Sequence, residues 1–294
     1  MSIFKRNLKK ISADSEKFLK SFLKRQSINS KLITPMKYGL FSGGKNFRTS
    51  IVVNTGKIFK VNYKKLIVIG AAAECIHSYS LIHDDLPCMD DDEIRRGKMT
   101  THKKFGESTA VLAGNSLLTL AFEILSSNQL KVKNNLKINL IKSLAISSGH
   151  LGIAGGQFLD LFFEHKKIPK NSVINMQCMK TGMLFGFCCE AAATVANLSN
   201  SDRNKFYEIG KEIGIIYQIA DDFIDLTGNK KIVGKPTQKD NKMGKSTLLN
   251  SAGKDYANSY AQNLKKKIIN KLKKHGKNSN DLIQSVEFIL NRKK

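Results

Sequence analysis

The sequence predicts an all-α fold, one domain spanning residues 1–294, on three observations. Only four prolines (Pro35, Pro87, Pro169, Pro236) occur, leaving long stretches in which nothing breaks a helix. No Asn-Gly or Asp-Gly pair separates alternating strands. Apolar residues recur at helical spacing over 108–127, 135–150, 170–200 and 203–226. No Ser/Gly linker, repeat or low-complexity block marks a domain boundary.

In chain order, the first segment, MSIFKRNLKKISADSEKFLKSFLKRQ, is basic and amphipathic, as a transit peptide would be. Asp14 and Glu16 interrupt it, arginine is scarce, and the pattern outruns a cleavage-length segment, so a first structural helix is expected. Residues 66–82 form the longest apolar stretch, and Glu74 and His77 within it favour a buried helix over a membrane span. Pro87 should end regular helix beyond it.

At that point the charge pattern changes. The chain carries +25, yet six of its 24 acidic residues fall between Asp84 and Glu93, in HDDLPCMDDDEIRRGK. Packed carboxylates raise one another's pKa unless a cation is present. Hard oxygen ligands gathered this way suit magnesium bridged to phosphates, with Arg95 and Arg96 gripping phosphate oxygens. The plainer alternative is a solvated charged loop. A second cluster weighs against it. YQIADDFID (217–225) sets Asp221 and Asp225 one helical turn apart on one face of an apolar helix, which a core helix avoids without a counter-ion. Two such clusters suggest carboxylates facing each other across a cavity, with metal between them.

Other chemistry is less well supported. Five cysteines (Cys75, Cys88, Cys178, Cys188, Cys189) without a CxxC pair argue against a disulfide framework or zinc site and for a reducing compartment. Seven arginines stand against 42 lysines spread along the chain, which is no dedicated nucleic-acid face. Where lysine is the default cation, Arg48, Arg95 and Arg96 suggest a need for a bidentate fork. GKST at 244–247 imitates the end of a P-loop, but position 239, where that motif needs glycine, is Lys239.

Six stretches in order resemble the trans-isoprenyl diphosphate synthases, most closely the bacterial short-chain type that makes farnesyl diphosphate. They are GGKNFR (43–48), ECIHSYSLIHDDLPCMDDDEIRRGK (74–98), GGQFLDL (155–161), KTGML (180–184), YQIADDFID (217–225) and GKPTQKDNKMGKST (234–247). The resemblance implies an isoprenoid synthase-type bundle of about ten helices around a deep central cavity, with both aspartate motifs at its mouth. It implies that an allylic diphosphate ionises, alkylates isopentenyl diphosphate, and loses a proton to the released diphosphate. It also implies a homodimer and isoprenyl diphosphate substrates. A cytoplasmic location is expected from the lack of a targeting signal, with no nucleic-acid partner from the spread of lysines and no membrane span from Glu74 and His77.

By the same resemblance, Asp84, Asp90 and Asp221 hold magnesium, three ions per site, with manganese as a possible alternative. Asp85, Asp222 and Asp225 would either support those ligands from behind or reach the metal through water. Arg95, Lys180 and Lys235 would hold the allylic diphosphate, and Lys45, Arg48, His77 and Arg96 the isopentenyl diphosphate. The Lys180 carbonyl, Thr181 hydroxyl and Gln218 amide would stabilise the carbocation. Taken alone, His77 reads as a satisfied buried histidine and Lys180 as a surface lysine; His83 is expected to be structural. Arg292 resembles a basic tail over the site, though composition explains it equally well.

Tyr79, five residues before Asp84, lies about 7–8 Å along a helix from it, so its ring could floor the cavity beneath a growing chain; by the resemblance, a tyrosine here suits a fifteen-carbon product. Three positions depart from the family pattern: Asn46 and Thr49 replace the arginine and proline of GGKRLRP, and Met99 a later proline. Competing expectations are a geranylgeranyl diphosphate synthase, a non-catalytic subunit of a heteromeric synthase, and a terpene cyclase. The aspartate-rich second motif disfavours the last of these.

Overall fold

Near the middle of the bundle runs α4 (Tyr63–Asp84), whose sequence explains its burial. Gly70, Ala71, Ala72 and Ala73 keep its waist narrow, while Leu66, Ile67, Ile69 and Ile76 fill the space on every side. The computed structural model describes residues 3–26, 31–227 and 244–292. In it α4 packs against α1 (Ile3–Gln26), α2 (Ile33–Leu40), α3 (Phe47–Ile58), α6 (Glu107–Ser126) and α10 (Met183–Val195). The N-terminal segment forms the expected helix, burying Leu8, Ile11, Leu19, Phe22 and Leu23 on one face.

The remaining described helices are α5 (Thr101–Phe105), α7 (Asn134–Ser148), α8 (Ile153–Phe162), α9 (Lys170–Gln177) and α11 (Asn200–Thr227), followed by Leu248–Ala252, Lys254–Lys273 and a last helix, Asn280–Asn291. α10 packs along α11 and bridges to α3 and α7. Among the described residues the fold is all-α except for one two-stranded hairpin, β1 (Ile94–Arg95) with β2 (Lys98–Met99). Its turn places Arg96 and Gly97 at φ of 53° and 75°, the left-handed pair a tight hairpin needs. Arg-Gly builds this turn in place of the usual Asn-Gly or Asp-Gly, so the hairpin carries no sequence signal of that kind.

Two further local details matter. α4 ends at Asp84, and the chain turns through Pro87 without regular helix, as expected. The span 170–200, read as evenly helical, is interrupted at Cys178–Gly182 by one turn of wider π-helix. Such a turn shifts the register of the side chains it carries, here Lys180 and Thr181.

Among the described residues two helices, α4 and α6, are long and apolar enough to cross a membrane; the apolar window of α4 is 83% buried inside the bundle, that of α6 44%. The exposed side of α6 shows Val111 and Leu112, and nearby helices show Ile138, Ile146, Phe158 and Phe162.

Candidate active site

Three adjoining cavities open where the end of α4, the hairpin, the π turn and the second half of α11 meet. The first, about 440 Å³, is lined by Lys45 and Arg48 from the start of α3, Glu74 and His77 from α4, Arg96 from the hairpin turn, and Tyr217, Asp221 and Arg292. The second, about 230 Å³, is walled by Asp84, Asp90, Asp92, Asp160, Asp221, Asp222 and Asp225, with Arg95, Lys180 and Lys245. A third, about 270 Å³, joins them: it shares Arg48, His77 and Arg96 with the first and Asp84, Lys180 and Gln218 with the second, and adds Thr181.

Electrostatics differ between the first two. In the cationic cavity, burial and then Arg48, Arg96 and Arg95 push the His77 pKa well below its usual value, so its imidazole is neutral. In the aspartate-walled cavity, burial pushes Asp84 up to about 6, with Asp90 adding to the rise and Lys180 opposing it. Burial also opposes ionisation of Asp160, but Lys180 and Lys245 outweigh it and bring this carboxyl down to about 2. Burial disfavours charge on Lys180 as well, and Asp160, Asp84 and Asp90 more than compensate, raising its pKa.

The hydrogen bonds explain these balances. Lys180 Nζ donates to Asp160 Oδ2 at 2.7 Å, and Lys245 Nζ donates to Asp160 Oδ2 at 3.0 Å and Asp90 Oδ1 at 2.7 Å. Arg95 Nε donates to Asp85 Oδ1 at 2.6 Å, so this carboxylate braces the hairpin arginine. Thr181 Oγ1 donates to Gln218 Oε1 at 2.9 Å; Gln218 Nε2 donates to Asp222 Oδ1 and Gln177 Nε2 to Asp222 Oδ2, both at 2.8 Å. Arg292 donates to Asp221 Oδ1 and to the Tyr217 carbonyl, both at 2.8 Å, with its guanidinium 3.6 Å from the Tyr217 ring centre.

The donor set fits a divalent cation. Carboxylate oxygens are the hard ligands that magnesium prefers. Among the described residues seven aspartates line this cavity against three basic side chains, and burial is what raises the Asp84 pKa. Among the described residues no three such ligands converge on one point. The ammonium groups of Lys180 and Lys245 lie between the carboxylates instead.

Lys45, Arg48, His77 and Arg96 share the first cavity; Asp84, Asp90, Asp221, Arg95, Lys180 and Gln218 share the second. Lys235 lies outside the described residues. Tyr79 is buried and lines none of the three cavities; its hydroxyl is 3.5 Å from the Ser148 carbonyl and its ring meets His83 edge-on. His83 contacts the Val111 carbonyl at 3.1 Å, a structural placement.

Sequence reading missed Lys245 and Asp160 as members of the site. Lys245 was visible only as one letter of GKPTQKDNKMGKST and of the false P-loop within it, and Asp160 only as a letter in GGQFLDL. Gly156 in that motif is needed for close packing: a Cβ there would collide with the backbone of Lys180.

A family model, polyprenyl synthetase, matches residues 29–287. The farnesyl diphosphate synthase of Escherichia coli is 40% identical over 242 residues, covering 80% of each chain. Among solved structures, an FPP/GFPP synthase from Zymomonas mobilis in its apo state has a TM-score of 0.85 at 37% identity, covering 96% of this chain and 99% of its own. A geranyltransferase from Helicobacter pylori, complexed with magnesium and isoprenyl diphosphate, has a TM-score of 0.80 at 30% identity, covering 97% and 96%. With the motifs in order and the cavities they line now located, the chain belongs to the polyprenyl synthetase family.

Proposed function

We propose that the chain is a short-chain trans-prenyltransferase that condenses isopentenyl diphosphate with dimethylallyl and then geranyl diphosphate, giving farnesyl diphosphate. One observation carries this reading: two anion sites of opposite character, one cationic and one aspartate-walled, meet through a third cavity that holds Thr181 and Gln218. The similarity to farnesyl diphosphate synthases supports it. So do the magnesium and isoprenyl diphosphate of the Helicobacter pylori relative.

In this reading Lys45, Arg48, His77 and Arg96 hold isopentenyl diphosphate, with neutral His77 donating a ring N–H. Arg95, Lys180 and Lys235 hold the allylic diphosphate, and Lys245 joins them by turning from Asp90 and Asp160 to the substrate. Asp84, Asp90 and Asp221 are the metal ligands for magnesium, three ions per site, with manganese as the alternative metal. When bound, the metal neutralises the charge that develops on the departing diphosphate.

The protein's own part is to separate, orient and stabilise. Two distinct sites keep the diphosphates apart while their reacting carbons approach. The allylic carbon–oxygen bond breaks with its electron pair on the diphosphate. The Lys180 carbonyl, the Thr181 hydroxyl oxygen and the Gln218 amide oxygen face the resulting cation. The double bond of isopentenyl diphosphate supplies the pair for the new carbon–carbon bond, and the released diphosphate takes the proton. Tyr79, which lines none of the three cavities itself, would be the floor that a growing chain reaches. The whole chain acts as one domain, and a homodimer in the cytoplasm completes the proposal, with the apolar surface of α6 as contact.

Purified protein supplied with dimethylallyl and labelled isopentenyl diphosphates, with and without magnesium, tests the reading. Metal-dependent farnesyl diphosphate supports it. A twenty-carbon main product keeps the mechanism and removes the floor. No product under any metal condition removes the enzymatic reading and favours the partner-subunit alternative.

A further inference from the structure

The cationic cavity contains a buried acid. Glu74 on α4 is 4% exposed, yet it lines the same space as Lys45, Arg48, His77 and Arg96. A carboxylate there is costly to bury and opposes the anion the cavity is read as binding, so a compensating role is needed. Its partners supply one. Glu74 Oε1 accepts the backbone N–H of Thr49 at 3.0 Å and the Thr49 hydroxyl at 3.4 Å.

Thr49 is the third residue of α3, and the first bond closing that helix runs from Ser50 N–H to the Asn46 carbonyl. The Thr49 N–H is therefore one of those that a helix start leaves without an internal acceptor. Glu74 caps it from the neighbouring helix, at the end where the helix dipole favours negative charge. Gly70, one turn earlier on α4, allows the approach: a Cβ there would stand 2.8 Å from the Thr49 Cα. α1 fastens the other side. Asn46, with a left-handed φ of 44°, donates its side-chain amide to the Ser12 carbonyl at 3.2 Å and the Ser12 hydroxyl at 3.0 Å. The Thr49 and Ser15 hydroxyls are 3.3 Å apart.

Arg48 sits between these two anchored residues. Its Nε is buried with no partner among the described residues, and its guanidinium stands 5.1 Å from the Phe185 ring centre. We infer that Glu74 is a positioning residue for the diphosphate cavity, which by capping α3 through Thr49 holds the backbone that directs Arg48 into it. Glu74 acts through Arg48 and does not touch the anion. The inference rests on reading this cavity as the isopentenyl diphosphate site.

Thr49→Pro removes both bonds to Glu74, because proline has neither N–H nor hydroxyl to give, yet is tolerated in a first helical turn; it also restricts the Arg48 backbone, so its effect is read beside Glu74→Gln. Glu74→Gln removes the charge, and Thr49→Ser keeps both donors. KM for each substrate, kcat and Tm are measured, with calorimetric binding of isopentenyl diphosphate to metal-free protein. Glu74→Gln and Thr49→Pro should each weaken isopentenyl diphosphate by roughly 5- to 30-fold and leave the allylic KM within about twofold. Thr49→Ser should behave as the parent. Equal loss for both substrates, or a lower Tm with both KM values unchanged, overturns the positioning role. Arg96→Ala separates the two readings. If it too leaves isopentenyl diphosphate binding unchanged, the cavity assignment falls and the inference with it. If it weakens binding while Glu74→Gln and Thr49→Pro do not, only the inference falls.

Discussion

Lys245 shows how much a single side chain can carry in this site. Its ammonium group bridges Asp90 and Asp160 and is almost fully enclosed, so it is already desolvated where an allylic diphosphate would bind. Charge-assisted bonds to a phosphate in such surroundings are strong. Lys245→Ala should lower kcat/KM for the allylic substrate roughly 10- to 100-fold while leaving the KM for isopentenyl diphosphate near its parent value, measured by steady-state kinetics with each substrate varied in turn. Tyr79 makes a second residue-scale prediction. Its ring is buried and edge-on to His83. Tyr79→Ala should destabilise the protein by about 3 kcal/mol through the cavity it leaves. It should also shift products to twenty carbons or more, read by chromatography of the dephosphorylated chains. An unchanged product spectrum removes Tyr79 from the floor and leaves it a core residue.

At the scale of elements, the site is a junction of helix ends. α4 delivers Asp84 at its last turn, the π turn delivers Lys180 and Thr181, α11 delivers Gln218 and Asp221, and α8 delivers Asp160. The ion pairs of Asp160 tie α8 to the π turn and to the chain before Leu248–Ala252. Their pH dependence has a definite sign. The folded carboxyl lies at about 2, below the unfolded value of about 4. Its stabilisation is therefore present above about pH 4 and is lost as pH falls through about 2, an effect of about 2 kcal/mol. Urea unfolding between pH 2 and 6 should show Asp160→Asn with a flatter acid limb than the parent. Parallel limbs would show that the pair adds no net stability.

For the whole molecule, Val111 and Leu112 of α6 are exposed apolar residues, and the proposed dimer would cover them. Leu112→Glu should convert the proposed dimer to monomers, halving the mass seen by light scattering; a parent already monomeric would sink the dimer. Much of this molecule was legible in advance because helical periodicity is local. Two aspartates four apart on an apolar helix announce a site, since like charges cannot face a core unaided, and scarce prolines leave helices unbroken. The packing partners were not legible. Lys245 and Asp90 are 155 positions apart, and no spacing rule connects them. Periodicity tells which face of a helix is apolar, but which faces meet depends on how all the helices pack at once. So the sequence alone determined the all-α class and the acidic and basic motifs of the site. Only the tertiary structure decided that Lys245 and Asp160 join the aspartates and that Glu74 reaches across to cap α3, because both contacts exist only after distant helices come together.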